Sequence, residues 1–110
     1  KKSEDGTFRS YVNSIVPAED VIELETPYRG HKFFHNISDA QVASLKELIV
    51  YLCNKYNISK KFNPDVFDIT TRALNGENGI FFHTSYRSDK TDFPPFPKIV
   101  KMLKEIEQGI

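Results

Sequence analysis

The stretch that decides the fold runs from residue 79 to residue 97 and reads Gly-Ile-Phe-Phe-His-Thr-Ser-Tyr-Arg-Ser-Asp-Lys-Thr-Asp-Phe-Pro-Pro-Phe-Pro. Its apolar beginning, Ile80-Phe-Phe-His83, predicts a short buried strand that ends in a histidine. The polar loop that follows contains a cation, Lys90, and a carboxylate, Asp92, which is nine positions after His83. Histidine and aspartate both bind zinc, and a fixed cation stabilises developing negative charge. The pattern therefore indicates a hydrolytic zinc site in outline.

Each of these residues also has a simpler interpretation. His83 could be a strand-end histidine that is satisfied by a backbone hydrogen bond, and Lys90 and Asp92 could form an exposed ion pair of little energetic value. The spacing alone does not decide between the two interpretations, because a histidine and an acid at this distance across a loop are common.

Upstream, Val21-Ile-Glu-Leu-Glu25 predicts a second strand. Its period of two places Ile22 and Leu24 on one face and Glu23 and Glu25 on the other. One face can pack while the other looks into a cleft. Glu23 is therefore either a site residue or a solvated strand acid.

A long helix is predicted after Ser38, which has the chemistry of an N-cap, with Gln41 completing a capping box and Asp39 favourably placed near the helix dipole. Asn57 can end it. An apolar stripe with three- and four-residue spacing predicts the buried side; its members are Val42, Leu45, Ile49, Leu52 and Tyr56.

Shorter signals complete the chain. Alternation in Thr7 to Val12 predicts a short strand, and Pro27 to Lys32 has the composition of a loop. Asn75-Gly76 and Asn78-Gly79 predict turns. Pro97 suits the first position of a final helix, which carries Ile99, Val100, Leu103 and Ile106 on one side. Interleaved strands and helices predict a single α/β domain over residues 1–110, with a central mixed β-sheet flanked by helices.

Composition limits the function classes. The 110 residues are 39% hydrophobic and carry 15 basic and 15 acidic side chains. This balance disfavours nucleic-acid binding, since no net field attracts phosphates. No apolar stretch approaches the roughly 20 residues of a membrane span. Cys53 is the only cysteine, so no internal disulfide forms, and a small buried hydrophobe is its simplest role.

Three motifs in order carry a resemblance to a known family. The segment Ser88-Asp-Lys-Thr-Asp-Phe-Pro-Pro-Phe-Pro97 resembles the closing motif of zinc-dependent N-acetylmuramoyl-L-alanine amidases of the type 2 family, which includes peptidoglycan recognition proteins. Val21-Ile-Glu-Leu-Glu25 is similar to the family's Ile-Glu-Leu-Glu strand, and Ile37-Ser-Asp-Ala-Gln41 to the opening of its long helix. Together the motifs span most of residues 21 to 103.

The resemblance implies an amidase fold like that of peptidoglycan recognition proteins, and a zinc hydrolase of peptidoglycan. It implies that His83 and Asp92 bind Zn²⁺, that Lys90 stabilises the oxyanion and that Glu23 acts as the general base. The bond cut would join N-acetylmuramic acid to L-alanine of the stem peptide. A cell-envelope, secreted or virion-associated location is expected, in a bacterial, phage or host setting, with endolysins among the related enzymes.

The chain also departs from the family pattern. The family's first strand, which supplies a zinc histidine before the turn that Asp5-Gly6 resembles, is not among these residues, and the chain has no tryptophan. His35 is a weaker alternative as third ligand. An upstream fragment of the same parent chain could instead supply the histidine. Alternatively, the chain could be a non-catalytic peptidoglycan-binding or virion structural module with a degenerate amidase fold.

Overall fold

A computed structural model of the chain describes residues 2–10 and 12–110. Contacts divide the chain into two compact units, the residues up to Ser38 and Asp39–Ile110. The first unit holds two small antiparallel sheets and the second is helical, so the fold is roughly α/β. No helix in the described part of the chain is long and apolar enough to cross a membrane.

The first unit consists of two hairpins. Strands β1 (Phe8–Arg9) and β2 (Ile15–Val16) pair with each other, and strands β3 (Val21–Tyr28) and β4 (His31–His35) form the larger hairpin. The β3 strand includes the predicted segment Val21 to Glu25 and extends beyond it. The β1 strand covers only part of the strand predicted over Thr7 to Val12, and Tyr11 lies outside the described residues.

A tight turn replaces most of the loop predicted between Pro27 and Lys32. Arg29 has a φ of 48° and Gly30 a φ of 83°. Two successive residues with positive φ are typical of a type I′ turn, whose twist matches that of the flanking strands. The strands therefore continue to Tyr28 and resume at His31.

The second unit contains three α-helices: α1 (Asp39–Tyr56), α2 (Thr71–Leu74) and α3 (Pro97–Gln108). The α1 helix starts directly after Ser38 and ends before Asn57, whose φ is 55°. The α3 helix has proline in its first turn and ends at Gly109 with a φ of 77°. These boundaries agree with the sequence signals, because proline fits a helix start and a left-handed residue fits its end.

The core of the second unit is built around α3. Its buried residues follow one helical stripe and are Ile99, Met102, Leu103 and Ile106. Two ion pairs join α3 to α1: Lys98 Nζ lies 3.0 Å from Asp39 Oδ1, and Lys46 Nζ lies 3.3 Å from Glu105 Oε1. Since each helix advances seven residues between its two pairing positions, α1 and α3 run side by side in the same direction.

Arg72 is the centre of a group of polar contacts in the segment that links α1 to His83. Its guanidinium binds Asp65 and Glu77 as ion pairs and donates to Asn63 Oδ1 at 2.9 Å. The same group lies over the Phe81 ring, 5.7 Å from its centroid. The long segment therefore has a polar centre of its own, although it forms little regular secondary structure.

Two predictions about this architecture are wrong. The described strands form two separate two-stranded antiparallel sheets and not a central mixed sheet. The predicted strand Ile80 to His83 is irregular up to Phe82 and becomes a 3₁₀ turn at His83. The physical reason is that side chains take its backbone groups: Asn63 Nδ2 donates to Ile80 O at 3.3 Å, and Phe82 N donates to Ser85 Oγ at 3.2 Å.

Candidate functional site

His83 opens a single 3₁₀ turn, His83–Ser85, that follows the extended residue Phe82. The carbonyl of His83 accepts from Tyr86 N at 3.1 Å and from Arg87 N at 3.2 Å. These two bonds bend the chain back and start the loop toward Asp92. The histidine predicted at the end of a strand is thus presented by a turn.

Two buried hydroxyls attach the turn to the backbone of Val66. Thr84 and Ser85 are fully buried. Thr84 Oγ1 donates to Val66 O at 3.0 Å, and Ser85 Oγ donates to the same oxygen at 2.6 Å. Thr70 N completes the attachment by donating to Ser85 O at 3.1 Å. Because buried polar groups are costly when unpaired, these bonds fix the turn against the segment from Val66 to Thr70.

The side chains of His83 and Asp92 meet. Nδ1 of His83 lies 3.3 Å from Oδ1 of Asp92, and the two side chains are 47% and 67% exposed. The sequence predicted both as ligands of one ion, and the structure brings them together at one accessible point. Their role as ligands stays a prediction.

An aromatic contact lies behind this pair. Phe82 and Phe93 meet edge to face with ring centroids 5.3 Å apart, and Phe82 also contacts Phe67 at 5.8 Å. Phe82 precedes His83 and Phe93 follows Asp92 in the chain. The two backbones that carry the site are therefore held together by packing as well as by the polar pair.

Lys90 lies between the two site residues in the chain and is half-buried. Its backbone N donates to Arg87 O at 3.4 Å. Arg87 in turn binds Asp89 through Nε at 3.0 Å and Nη2 at 2.8 Å. Desolvation acts to raise the pKa of Asp89, but the Arg87 hydrogen bonds and the charges of Arg87 and Lys90 outweigh it and lower that pKa. The loop thus carries its cations close to Asp89.

Glu23 and the remaining histidines belong to the first unit. Glu23 projects from β3, is 57% exposed and lies 3.8 Å from Lys32 Nζ. His31 and His35 begin and end β4, and both are exposed. His35 sits opposite Val21 in the hairpin, so it belongs to a strand and not to a loop. The roles predicted for Glu23 and His35 stay predictions.

Within residues 2–10 and 12–110, no group of three or more His, Cys, Asp or Glu side chains is arranged to hold a metal ion. Cys53 is buried on α1, and burial raises the pKa of its thiol, which Lys60 offsets in part. The burial that the sequence predicted for Cys53 is confirmed.

Sequence reasoning missed Ser85 and Phe93. Both lie within the segment from residue 79 to residue 97 that contains His83 and Asp92. Neither residue belongs to a periodic pattern or a motif that would mark it as part of a site. The signal that could have identified them is position: each is within two residues of a proposed ligand.

Comparisons with protein-family models, with curated proteins and with solved structures found no match to this chain.

Proposed function

We propose that this chain carries the zinc-binding part of a peptidoglycan amidase, which hydrolyses the amide bond between N-acetylmuramic acid and L-alanine. The observation that carries the proposal is the separation of 3.3 Å between His83 Nδ1 and Asp92 Oδ1. The resemblance of the three motifs supplies the reaction.

The separation suits two ligands of one zinc ion. Zinc binds histidine nitrogen and carboxylate oxygen at about 2.0–2.2 Å in a tetrahedral arrangement, which places neighbouring ligand atoms roughly 3.3–3.5 Å apart. Both side chains are exposed enough for an ion and a substrate to reach them.

A catalytic zinc site takes three protein ligands, and the described residues supply two at this point. The proposal therefore includes a third ligand from a polypeptide segment that precedes these residues in the parent protein. That is the place at which the resembling family has its first zinc histidine.

The proposed reaction uses the zinc ion and two charged residues, Lys90 and Glu23. A bound zinc ion supplies a Lewis acid that polarises the scissile carbonyl. Lys90 stabilises the negative charge that develops on the carbonyl oxygen. The resemblance implies that Glu23 accepts the proton of the attacking water and delivers it to the leaving amine of L-alanine. The Glu23 carboxylate is exposed, and its 3.8 Å contact with Lys32 is an exposed pair of the kind that yields readily.

A second candidate function is a non-catalytic peptidoglycan-binding or virion structural module, with a degenerate amidase fold and no metal. The observation that favours it is the two-residue composition of the site within the described chain. In that case His83 and Asp92 contact each other with no metal between them, and the protein binds muropeptide without cutting it.

The test is the metal content of the native protein, measured by elemental analysis beside an intact mass that reveals any co-purifying fragment. The amidase proposal expects stoichiometric zinc that is lost in His83→Ala and kept in His31→Ala, a matched exposed histidine in the other unit. It also expects release of L-alanyl peptide from a muramoyl peptide, which a chelator stops and Lys90→Ala slows. No zinc, together with muropeptide binding that survives chelation, would establish the binding module instead.

A further inference from the structure

We propose that Ser85 is a positioning residue for His83, an inference that rests on the proposed role of His83 as a zinc ligand. Ser85 lies two residues after His83 and is fully buried. Because its side chain is inaccessible to solvent, any effect on the site is transmitted through the backbone.

The hydroxyl of Ser85 forms two hydrogen bonds, one of them to the residue that precedes His83. Its oxygen accepts from the backbone N of Phe82, at 3.2 Å, on the far side of the histidine. Its proton goes to Val66 O at 2.6 Å, in a segment 19 residues earlier. This side chain therefore adds a second bond between Ser85 and Phe82, beside the backbone bond from Ser85 N to Phe82 O at 2.9 Å, and also joins the turn to Val66.

This arrangement fixes the direction in which the imidazole leaves the chain. Without the Ser85 oxygen, the Phe82 N–H loses its partner, and the extended residue Phe82 (φ −110°, ψ 171°) keeps only one of its two bonds to Ser85, the backbone bond from Ser85 N to Phe82 O at 2.9 Å. The His83 side chain would then sample orientations in which Nδ1 no longer faces Asp92. Metal sites weaken by about 10–100-fold when residues that orient their ligands are removed.

Thr84 provides a matched control. Its hydroxyl donates to the same Val66 oxygen at 3.0 Å and is equally buried. Thr84→Val and Ser85→Ala each delete one hydroxyl bond to that carbonyl, whereas only Ser85→Ala deletes the acceptor for Phe82 N. A role in packing alone predicts that the two variants behave alike.

The experiment measures zinc affinity by competition with a chromophoric chelator, and thermal stability, for the full chain and both variants, together with any segment that co-purifies. We expect Ser85→Ala to lower zinc affinity by about tenfold or more, and Thr84→Val to leave it within about twofold at comparable loss of stability. Equal zinc affinities in the two variants would overturn the proposal. If Ser85→Ala does not fold, Ser85→Cys, which keeps a weak hydrogen-bonding group of similar size, should show a smaller loss in the same direction, and an unchanged affinity would again overturn it.

A metal-free measurement separates this inference from the proposed function. Nuclear Overhauser contacts between the His83 ring and the Asp92 β protons report the pairing directly. We expect these contacts in the unmodified chain and in Thr84→Val, and their loss in Ser85→Ala. An unmodified chain that shows the contacts and binds no zinc would remove the proposed function alone; contacts that persist in Ser85→Ala would remove the positioning role.

Discussion

Phe82 and Phe93 meet edge to face with centroids 5.3 Å apart and ring planes at 76°. Each ring belongs to the chain neighbour of one member of the His83–Asp92 pair. The contact thus ties together two segments that are separated by the polar loop. Edge-to-face pairs contribute about 0.5–1.5 kcal/mol beyond their buried area, which is enough to bias a loop toward one arrangement.

Phe93→Leu is expected to weaken zinc binding by several-fold and to lower the free energy of unfolding by about 1 kcal/mol, since the aromatic contact is lost while most apolar volume remains. The measurement is zinc titration together with urea unfolding.

Phe67→Leu is the matched control for this prediction. It removes the other ring that contacts Phe82, at 5.8 Å, but Phe67 does not adjoin a proposed ligand. It should lower stability and leave zinc affinity nearly unchanged. Equal effects of both substitutions on zinc affinity would show that the Phe82–Phe93 contact has no special relation to the site.

His83→Ala is expected to change the free energy of unfolding by no more than about 0.5 kcal/mol in the absence of metal, because polar contacts between exposed side chains contribute little. The pair is open to solvent on both sides, with 47% of His83 and 67% of Asp92 exposed. The same substitution should abolish zinc binding. Urea unfolding in the presence of a chelator measures the first effect, and a large loss there would assign the histidine a role in stability.

The pH dependence of stability should reveal the Asp65–Arg72 ion pair. The hydrogen bond from Arg72 lowers the pKa of Asp65 below its ordinary 3.8. A group whose pKa is depressed on folding stabilises the protein above its unfolded pKa, and this contribution is lost as the pH falls through the lower, folded value. Asp65→Asn should therefore destabilise the protein at pH 7, and the difference should shrink below about pH 4.

Thermal unfolding of the unmodified chain and of Asp65→Asn across this range provides the measurement. Asp68→Asn, an exposed acid in the same turn region, serves as the control and should have little effect at any pH. A difference between Asp65→Asn and the unmodified chain that stays constant from pH 7 to acid would rule out the ion pair as its source.

Local sequence signals predicted element ends better than they predicted pairing. Pro97 and Asn57 mark real helix boundaries because their backbone preferences act within a few residues. The segment from Ile80 to Phe82 was predicted as a strand, and its outcome depended on Asn63, 17 residues away, whose amide takes the Ile80 carbonyl. Apolar alternation carries no information about such a distant side chain.

The same limit applies to the candidate site. Motif order singled out His83 and Asp92, which do meet in space. The support beneath them, in which Ser85 reaches Val66 O, depends on tertiary packing and has no pattern in the sequence. The periodicity of apolar residues in a helix likewise indicates which residues share one face. It does not indicate how much of that face is covered by the rest of the protein.

The end of α1 provides a direct test of that last point. Periodicity placed Tyr56 in the core stripe, but its side chain is 62% exposed, whereas Ile106 on α3 is 2% exposed. Ile106→Ala should therefore lower the free energy of unfolding by about 2–5 kcal/mol, since it leaves a cavity in a packed interior. Tyr56→Ala should cost no more than about 1 kcal/mol, most of it from the loss of the contact with Lys55, whose Nζ lies 5.4 Å from the ring centroid. Urea unfolding of the two variants compares them, and a cost for Tyr56→Ala that matches that of Ile106→Ala would mean that the apolar stripe of α1 is covered along its whole length.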